Sequence, residues 1–341
     1  MGLDLGDRFT EGCVLDEQGD VIERFRVRTR TGDLSKVLGA YGPSRVVLEV
    51  GTNSPWISRL VTSCGHGTIV ANPRRVRLIA ENDSKNDSVD AELLARLARI
   101  NPGLLKPIVH RGEQAQRDRI LIQARDGFVR ARTQLVNQVR GFAKSLGTRL
   151  SSCSTVTFTK KVRASEDEDL FPGLSTMLEM IDSLWEQIRG VDREIEKLSK
   201  ERYPETQLLR QVPGVGPLTA LCFFLTIEDP GRFAKSRSVE AYLGLRPRQR
   251  DSGDSHSQLR ITKAGDRLLR RLLVTSAHYV LGPFGPDTDL RRAGLRLAER
   301  GGKAAKKRAV EAIARRLAVL LHRLWVTGED YVSLLEERVA A

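Results

Sequence analysis

The stretch ENDSKNDSVDAELLARLARI, Glu81 to Ile100, decides how this chain is read. Asp87 and Asp90 stand three residues apart at the start of a helix, and that spacing puts both carboxylates on one face. Asp87 or Ser88 can cap, and Leu93, Leu94, Leu97 and Ile100 supply the apolar stripe that seats the helix on a core. Two carboxylates held this close repel unless a cation lies between them, and a divalent metal is the usual answer. The same pair also suits a plain polar helix start, because the helix dipole favours acids in the first turn. The rest of the chain decides between the two.

Upstream, GLDLGD (Gly2–Asp7) alternates as a short strand, with Asp4 opposite in direction to Leu3 and Leu5. FTEGCVLD, the turn EQGD and VIERFRVRT read as a hairpin, so three strands come first. Thr31 to Tyr41 has helical spacing, SRVVLEV (Ser44–Val50) is a buried strand, and Glu49 closes its apolar run before the turn GTN. A helix over Pro55–Cys64, the strand GTIVA and a helix opened by Pro73 follow. The order is β-β-β-α-β-α-β-α, and it resembles the ribonuclease H-like (RuvC-like) fold. There, carboxylates from these elements hold two divalent ions at strand ends. Asp4 and Glu49 would meet Asp87 and Asp90 only if strands one and four are neighbours. Singly, each acid has a plainer explanation as a strand-edge charge, a strand terminator or a cap.

Downstream the chain becomes helical. Arg111 to Arg149 carries an apolar stripe of Leu121, Ala124, Phe128, Ala131, Leu135 and Phe142. Arg117, Arg119, Arg125, Arg130, Arg132 and Arg140 crowd the remainder, as a solvated face or as contacts to a nucleic-acid backbone. Ser151 to Phe171 loses periodicity, with SEDED as an exposed loop. Leu174 to Leu198 has a heptad rhythm, Leu174/Met177, Ile181/Leu184, Ile188/Val191 and Ile195/Leu198, the pattern of a coiled coil that joins subunits. Alternatively, the two long helices form an antiparallel hairpin within one chain. QVPGVGPLTALCFFLTI (Gln211–Ile227) resembles a helix-hairpin-helix element, whose Gly214 and Gly216 would offer backbone N–H groups to a phosphate. It reads equally as a tight turn without a ligand.

AYLGLRPRQRDSGDSHSQLRITKAGDRLLRRLL (Ala241–Leu273) encloses a polar loop flanked by Arg246, Arg248, Arg250 and Lys263. Its composition is that of a surface loop, yet a serine in a basic, phosphate-attracting loop is what attack on a phosphodiester needs. The tail from Arg291 to Arg323 is basic and helical, with Lys303, Lys306, Lys307 and Arg308 suited to phosphates, and Trp325 with Leu334–Val339 closes the fold.

Composition narrows the class. In 341 residues, 56 Lys and Arg against 43 Asp and Glu give a formal charge of +13, which points to a polyanionic partner, most often nucleic acid. No apolar run reaches transmembrane length and no signal peptide opens the chain, so a cytoplasmic, nucleoid-associated protein is expected. Cys13, Cys64, Cys153 and Cys222 are scattered singly and read as reduced thiols, with neither a disulfide pattern nor a zinc site.

Taken together, GLDLGDRF, LEVGTNSPWISRLV, NPRRVRLIAENDSKNDSVDAELLARL, QVPGVGPLTA and the Ala241–Leu273 segment resemble the DEDD transposases of bacterial insertion sequences, recombinases guided by a structured bridge RNA. The resemblance implies three parts: a RuvC-like α/β catalytic domain over 1–108, long dimerising helices over 109–203, and a mainly α transposase domain over 204–341. It implies that Asp4, Glu49, Asp87 and Asp90 hold two Mg²⁺ ions, with Mn²⁺ as a substitute. It makes Ser252 of the RDSG turn the nucleophile, with Ser255 and Ser257 as alternatives. Donor and target DNA, a guide RNA and a dimer that assembles to a tetramer are the implied partners. Two other functions fit the residues: a RuvC-type nuclease of branched DNA that uses metal-activated water and no serine, and a non-catalytic nucleic-acid scaffold.

Overall fold

The computed structural model describes residues 1–73, 87–165, 170–248 and 259–334, and the backbone alone of 251–252 and 255–256. The helix expected from Pro73, the SEDED loop past Ser165 and the segment Leu334–Val339 past Leu334 lie outside the described residues. The chain forms two compact units, Met1–Gly112 and Glu113–Ala341.

The first unit is built on a five-stranded sheet: β1 (Gly2–Leu5), β2 (Phe9–Leu15), β3 (Val21–Arg28), β4 (Arg45–Glu49) and β5 (Gly67–Ala71). Their spatial order is β3-β2-β1-β4-β5, antiparallel across the first three and parallel across β1, β4 and β5. Strands one and four are therefore neighbours, in an α/β arrangement compatible with a ribonuclease H-like domain. Helices α1 (Thr31–Leu38) and α2 (Ser54–Ser63) cover one face, where Leu3 and Leu48 are buried with Leu34, Leu38, Ile57 and Val61. The other face takes α3 (Asp87–Ile100), where Val47 meets Leu94, Leu97 and Ala98.

Close approach fixes α3. A Cβ on Gly2 would lie 2.0 Å from the Ala91 carbonyl oxygen and 2.7 Å from the Ala95 nitrogen, so only glycine lets the helix lie this near β1. The helix answers with alanines at 91, 95 and 98, all buried. Its direction follows from its ends: Arg45, opening β4, donates to the Ala98 carbonyl at 3.1 Å, and Arg99 donates to the carbonyl of Glu17 in the β2–β3 turn at 2.7 Å. So α3 runs antiparallel to β1 and β4, and its N-terminus lies at their carboxyl ends.

The second unit contains the long helices α4 (Glu113–Ser145) and α6 (Leu174–Glu201) as an antiparallel hairpin. Arg202 reaches Asp118 at 2.9 Å, Arg125 reaches Asp192 at 2.5 Å, and the Arg132 guanidinium lies 5.0 Å from the Trp185 ring centre. The heptad positions Leu174, Ile181, Ile188 and Ile195 are all buried within the chain, as the hairpin reading expects. The expected stripe on α4 needs correction. Its buried residues are Ala115, Arg119, Ile122, Arg132, Val136, Val139 and Ala143, whereas Ala131 is exposed and Phe142 is 48% exposed. Two arginines sit on the true inner face, Arg119 paired with Asp266 and Arg132 on Trp185, so the stripe was disguised as polar. A helix missed in the aperiodic segment, α5 (Phe158–Arg163), helps close a small core at the far end of the hairpin, with Phe158 and Val162 against Val136, Val139, Leu178 and Ile181.

The rest of this unit is helical: α7 (Thr206–Leu209), α8 (Pro217–Ile227), α9 (Arg237–Tyr242), α10 (Arg267–Leu281), α11 (Asp289–Ala298) and α12 (Gly302–Thr327). The basic tail is thus two helices, broken at Gly301. Apolar on nearly every side, α8 is the centre of the main core, and Trp325 stacks on its Phe224 at 4.2 Å. Between α9 and α10 a short hairpin, β6 (Asp251–Ser252) against β7 (Ser255–His256), stands on the bridge of Pro247 to Ile261. Gly244, at φ 68°, roots it: an added Cβ would lie 2.1 Å from the Ala264 carbonyl oxygen. None of the described helices is long and apolar enough to cross a membrane.

Candidate active site

Register brings the first two acids together. Gly2 lies beside Val47 and Leu3 beside Leu48 on the parallel pair β1 and β4. One step further along both strands stand Asp4 and Glu49, at the strands' carboxyl ends and about 4.8 Å apart by strand spacing. Leu3 and Leu48 face α1 and α2, so alternation turns Asp4 and Glu49 to the face that carries α3. Asp87 lies one turn before Ala91, the residue against Gly2, and Asp90 one turn before the buried Leu94. All four acids therefore stand on one face, at one end of the sheet, two from strands and two from the first turn of α3. The positive end of the helix dipole points the same way and favours negative charge there.

A fifth acid, which sequence reasoning missed, shares this face. Glu11 lies directly across β2 from Asp4, and its charge is answered by Arg26 at 3.1 Å. Only the cross-strand register reveals it. Among the described residues no three His, Cys, Asp or Glu side chains are gathered closely enough to hold one ion. The donor set is nonetheless hard oxygen, the kind that Mg²⁺ and Mn²⁺ take. The residues fit such ions in kind and in shared face.

The turn after Glu49 is held by a second group missed in the sequence, where a lone histidine gives no signal. The Gly51 amide donates to Ser54 Oγ at 3.0 Å, and Ser54 Oγ donates to the Gly51 carbonyl at 2.8 Å. Since its single proton is so used, the contact of Ser54 Oγ with His110 Nε2 at 2.9 Å requires the ring to donate. Burial, then Arg111 and Arg59, push the His110 pKa below its ordinary value, which keeps the ring neutral. Asn53 Nδ2 donates to the Gly6 carbonyl at 3.3 Å, so this turn is tied to the loop that follows Asp4.

The other site candidates lie in the second unit. Gly214 and Gly216 line a groove of about 1340 Å³ with Arg125, Arg130, Arg210 and Arg271, between α4, α8 and α10. All four of these arginines already hold acids: Arg125 with Asp192, Arg210 with Glu196, and Arg130 and Arg271 both with Asp126. Ser252 is in β6, paired with Ser255. Arg246 is exposed, Arg248 donates its amide to the Arg260 carbonyl at 3.0 Å, and Lys263 is exposed with φ 55°. Arg250 and Ser257 lie outside the described residues.

Two family models account for most of this chain: the DEDD model of the IS110 group, described as transposase, over residues 1–146, and that of the transposase IS116/IS110/IS902 family over residues 206–289. The chain belongs to the IS110 family of transposases. This transposase is 28% identical over 338 residues to the transposase for insertion sequence element IS1111A of Coxiella burnetii, covering 97% of this chain and 90% of that one. It is also 28% identical over 290 residues to the transposase for IS1328 of Yersinia enterocolitica, covering 82% and 83%. A pilin gene-inverting protein of Moraxella bovis is 25% identical over 280 residues, covering 81% and 77%. The transposase is accordingly an enzyme that cuts and joins DNA. Asp4, Glu49, Asp87 and Asp90 fall within the first matched segment, and Gly214, Gly216 and Ser252 within the second.

Proposed function

We propose that this transposase breaks and rejoins DNA strands through a covalent bond to Ser252, assisted by a ribonuclease H-like site of Asp4, Glu49, Asp87 and Asp90. The observation that carries the acidic half is the register of β1 and β4, which sets Asp4 beside Glu49 on the face overlain by α3. These four residues would hold divalent ions, which supply charge neutralisation at the scissile phosphate and the leaving oxygen.

The reaction balances as a phosphoryl exchange. Ser252 Oγ attacks phosphorus and its proton passes to a base. The Oγ–P bond forms as the P–O3′ bond breaks, and the released oxygen takes up a proton as a 3′-hydroxyl. A 3′-hydroxyl from another strand reverses the step, frees the serine and leaves the strands exchanged. A serine hydroxyl needs such activation because it is a weak nucleophile at neutral pH. A bridge RNA as the source of target choice, and a dimer that assembles to a tetramer through the long helices, complete the reading. Gly214, Gly216 and the arginines flanking the hairpin are assigned to nucleic-acid contacts.

The test is to incubate the protein with Mg²⁺, guide RNA and DNA, denature it, and look for protein-linked DNA. An adduct that disappears in Ser252→Ala is expected. Nicks without an adduct, unchanged in Ser252→Ala, would mean a RuvC-type nuclease instead, and intact DNA throughout a scaffold.

A further inference from the structure

We propose that a basic trough along α12 is a track for the sugar-phosphate backbone of nucleic acid, running to the foot of the hairpin that carries Ser252. Lys235, Arg237, Arg246, Arg315, Arg316 and Arg323 line a concavity of about 900 Å³ between α9 and α12. Arg315 and Arg316 also line an adjoining hollow of about 310 Å³ walled by Pro247 and Ile261, the pair at the base of the hairpin. The two hollows are thus continuous across Arg315 and Arg316. On α12 the lining recurs from Arg308 to Arg323, about 22 Å at 1.5 Å per residue.

A charged helix face is usually just solvated. Here the cations converge from separate segments onto a concave surface. The acid in the larger hollow, Glu240, is tied to Arg315 at 3.3 Å. Arg323 also has a partner, Glu329 at 3.5 Å, but remains 55% exposed. Lys235, Arg237 and Arg316 are exposed and have no ion pair among the described residues. The two walls are tied to each other: buried His322 on α12 bonds Ser236 Oγ and the Pro230 carbonyl, each at 3.0 Å, beside the start of α9. Glu311 lines the smaller hollow, but among the described residues eight Lys and Arg side chains line the two hollows against two acids. A cleft with such a positive excess focuses its field on a polyanion with regularly spaced charges.

That the track ends at a reactive residue rests on the Ser252 reading; the track itself does not. The test measures the salt dependence of binding, by fluorescence anisotropy, for a labelled duplex DNA and separately for a labelled RNA hairpin. The full chain is compared with Arg237→Ala/Arg316→Ala and with Arg189→Ala/Arg193→Ala, a control on exposed α6 positions. Each lost phosphate contact lowers the logarithmic salt slope by about 0.9, so the trough pair should lower it by about 1.8 and weaken duplex binding about 30-fold near 0.15 M salt. The single variants should each give about half that slope change, and all four positions are exposed, so melting should not move. A selective loss with either polymer upholds the track and identifies the strand it takes. Unchanged slopes with both polymers, or an equal loss in the control, overturn it. The binding assay involves no bond breaking, and Ser252→Ala should keep the full slope, so failure of the serine reading is separable.

Discussion

His110 reports on the turn beside Glu49 through its proton. Its pKa is depressed in the folded chain, so the unfolded chain binds more protons near the ordinary histidine value of about 6.5. Its contribution to stability is therefore full above that value and is lost as pH falls through it. His110→Gln, which keeps a donor without the titration, should show a smaller fall in melting temperature between about pH 7.5 and pH 5. Equal falls in both proteins would exclude the histidine as the source. At Asp4 stability and activity should separate. Asp4→Asn, which keeps the size of the side chain, should lower DNA cleavage on the order of 100-fold while the protein stays folded, as circular dichroism would check. A fully active Asp4→Asn protein would remove Asp4 from the chemistry. Asp4 and Glu49 were legible in the sequence because strand alternation fixes which way an acid faces. Glu11 and His110 were not, because their importance comes from a cross-strand register and from a contact 56 residues away.

Among the elements, α3 depends on the smallest side chains in its surroundings. Gly2→Ala should cost about 2 kcal/mol, since neither neighbour is the end of a flexible side chain and the helix must shift. Cleavage should fall along with stability, because Asp87 and Asp90 move with the helix; thermal melts and DNA cleavage on the same protein check this. The strands and the existence of α3 could be anticipated from their apolar periods, but the stripe on α3 was misplaced at its end. Ile100, expected on the core, is 72% exposed, and Ala91, Ala95 and Ala98 are buried with Leu94 and Leu97. The phase of α4 could not be anticipated, since Arg119 and Arg132 occupy inward positions and each is stabilised by a partner far along the chain, Asp266 and Trp185. The heptad of α6 indicated a buried seam but not its partner, which proves to be α4 of the same chain.

At the scale of the whole molecule, each unit has its own core, and the three tryptophans divide between them: Trp56 in the first, Trp185 and Trp325 in the second. Gly2→Ala should therefore shift the unfolding reported by Trp56, while Asp266→Ala should shift that reported by the other two. Asp266 both caps α10, accepting from the Leu269 amide at 2.8 Å, and pairs with Arg119, which is 8% exposed. Removing it leaves a buried cation unanswered and should cost about 3 kcal/mol. Fluorescence melts of Trp56→Phe and of Trp185→Phe/Trp325→Phe backgrounds separate the two; a single transition moved equally by both substitutions would contradict independent cores.

The contact of Gly2 with Ala91 also limits how this sequence can drift. A helix resting directly on a strand leaves no room for the usual exchange of a large residue on one side for a small one on the other. Positions 2, 91 and 95 should tolerate almost nothing in a saturation library, although none of them carries a reactive group. Ile100, 72% exposed at the far end of the same helix, should accept nearly any residue. The narrowest sequence space near this site would then belong to residues that do no chemistry at all.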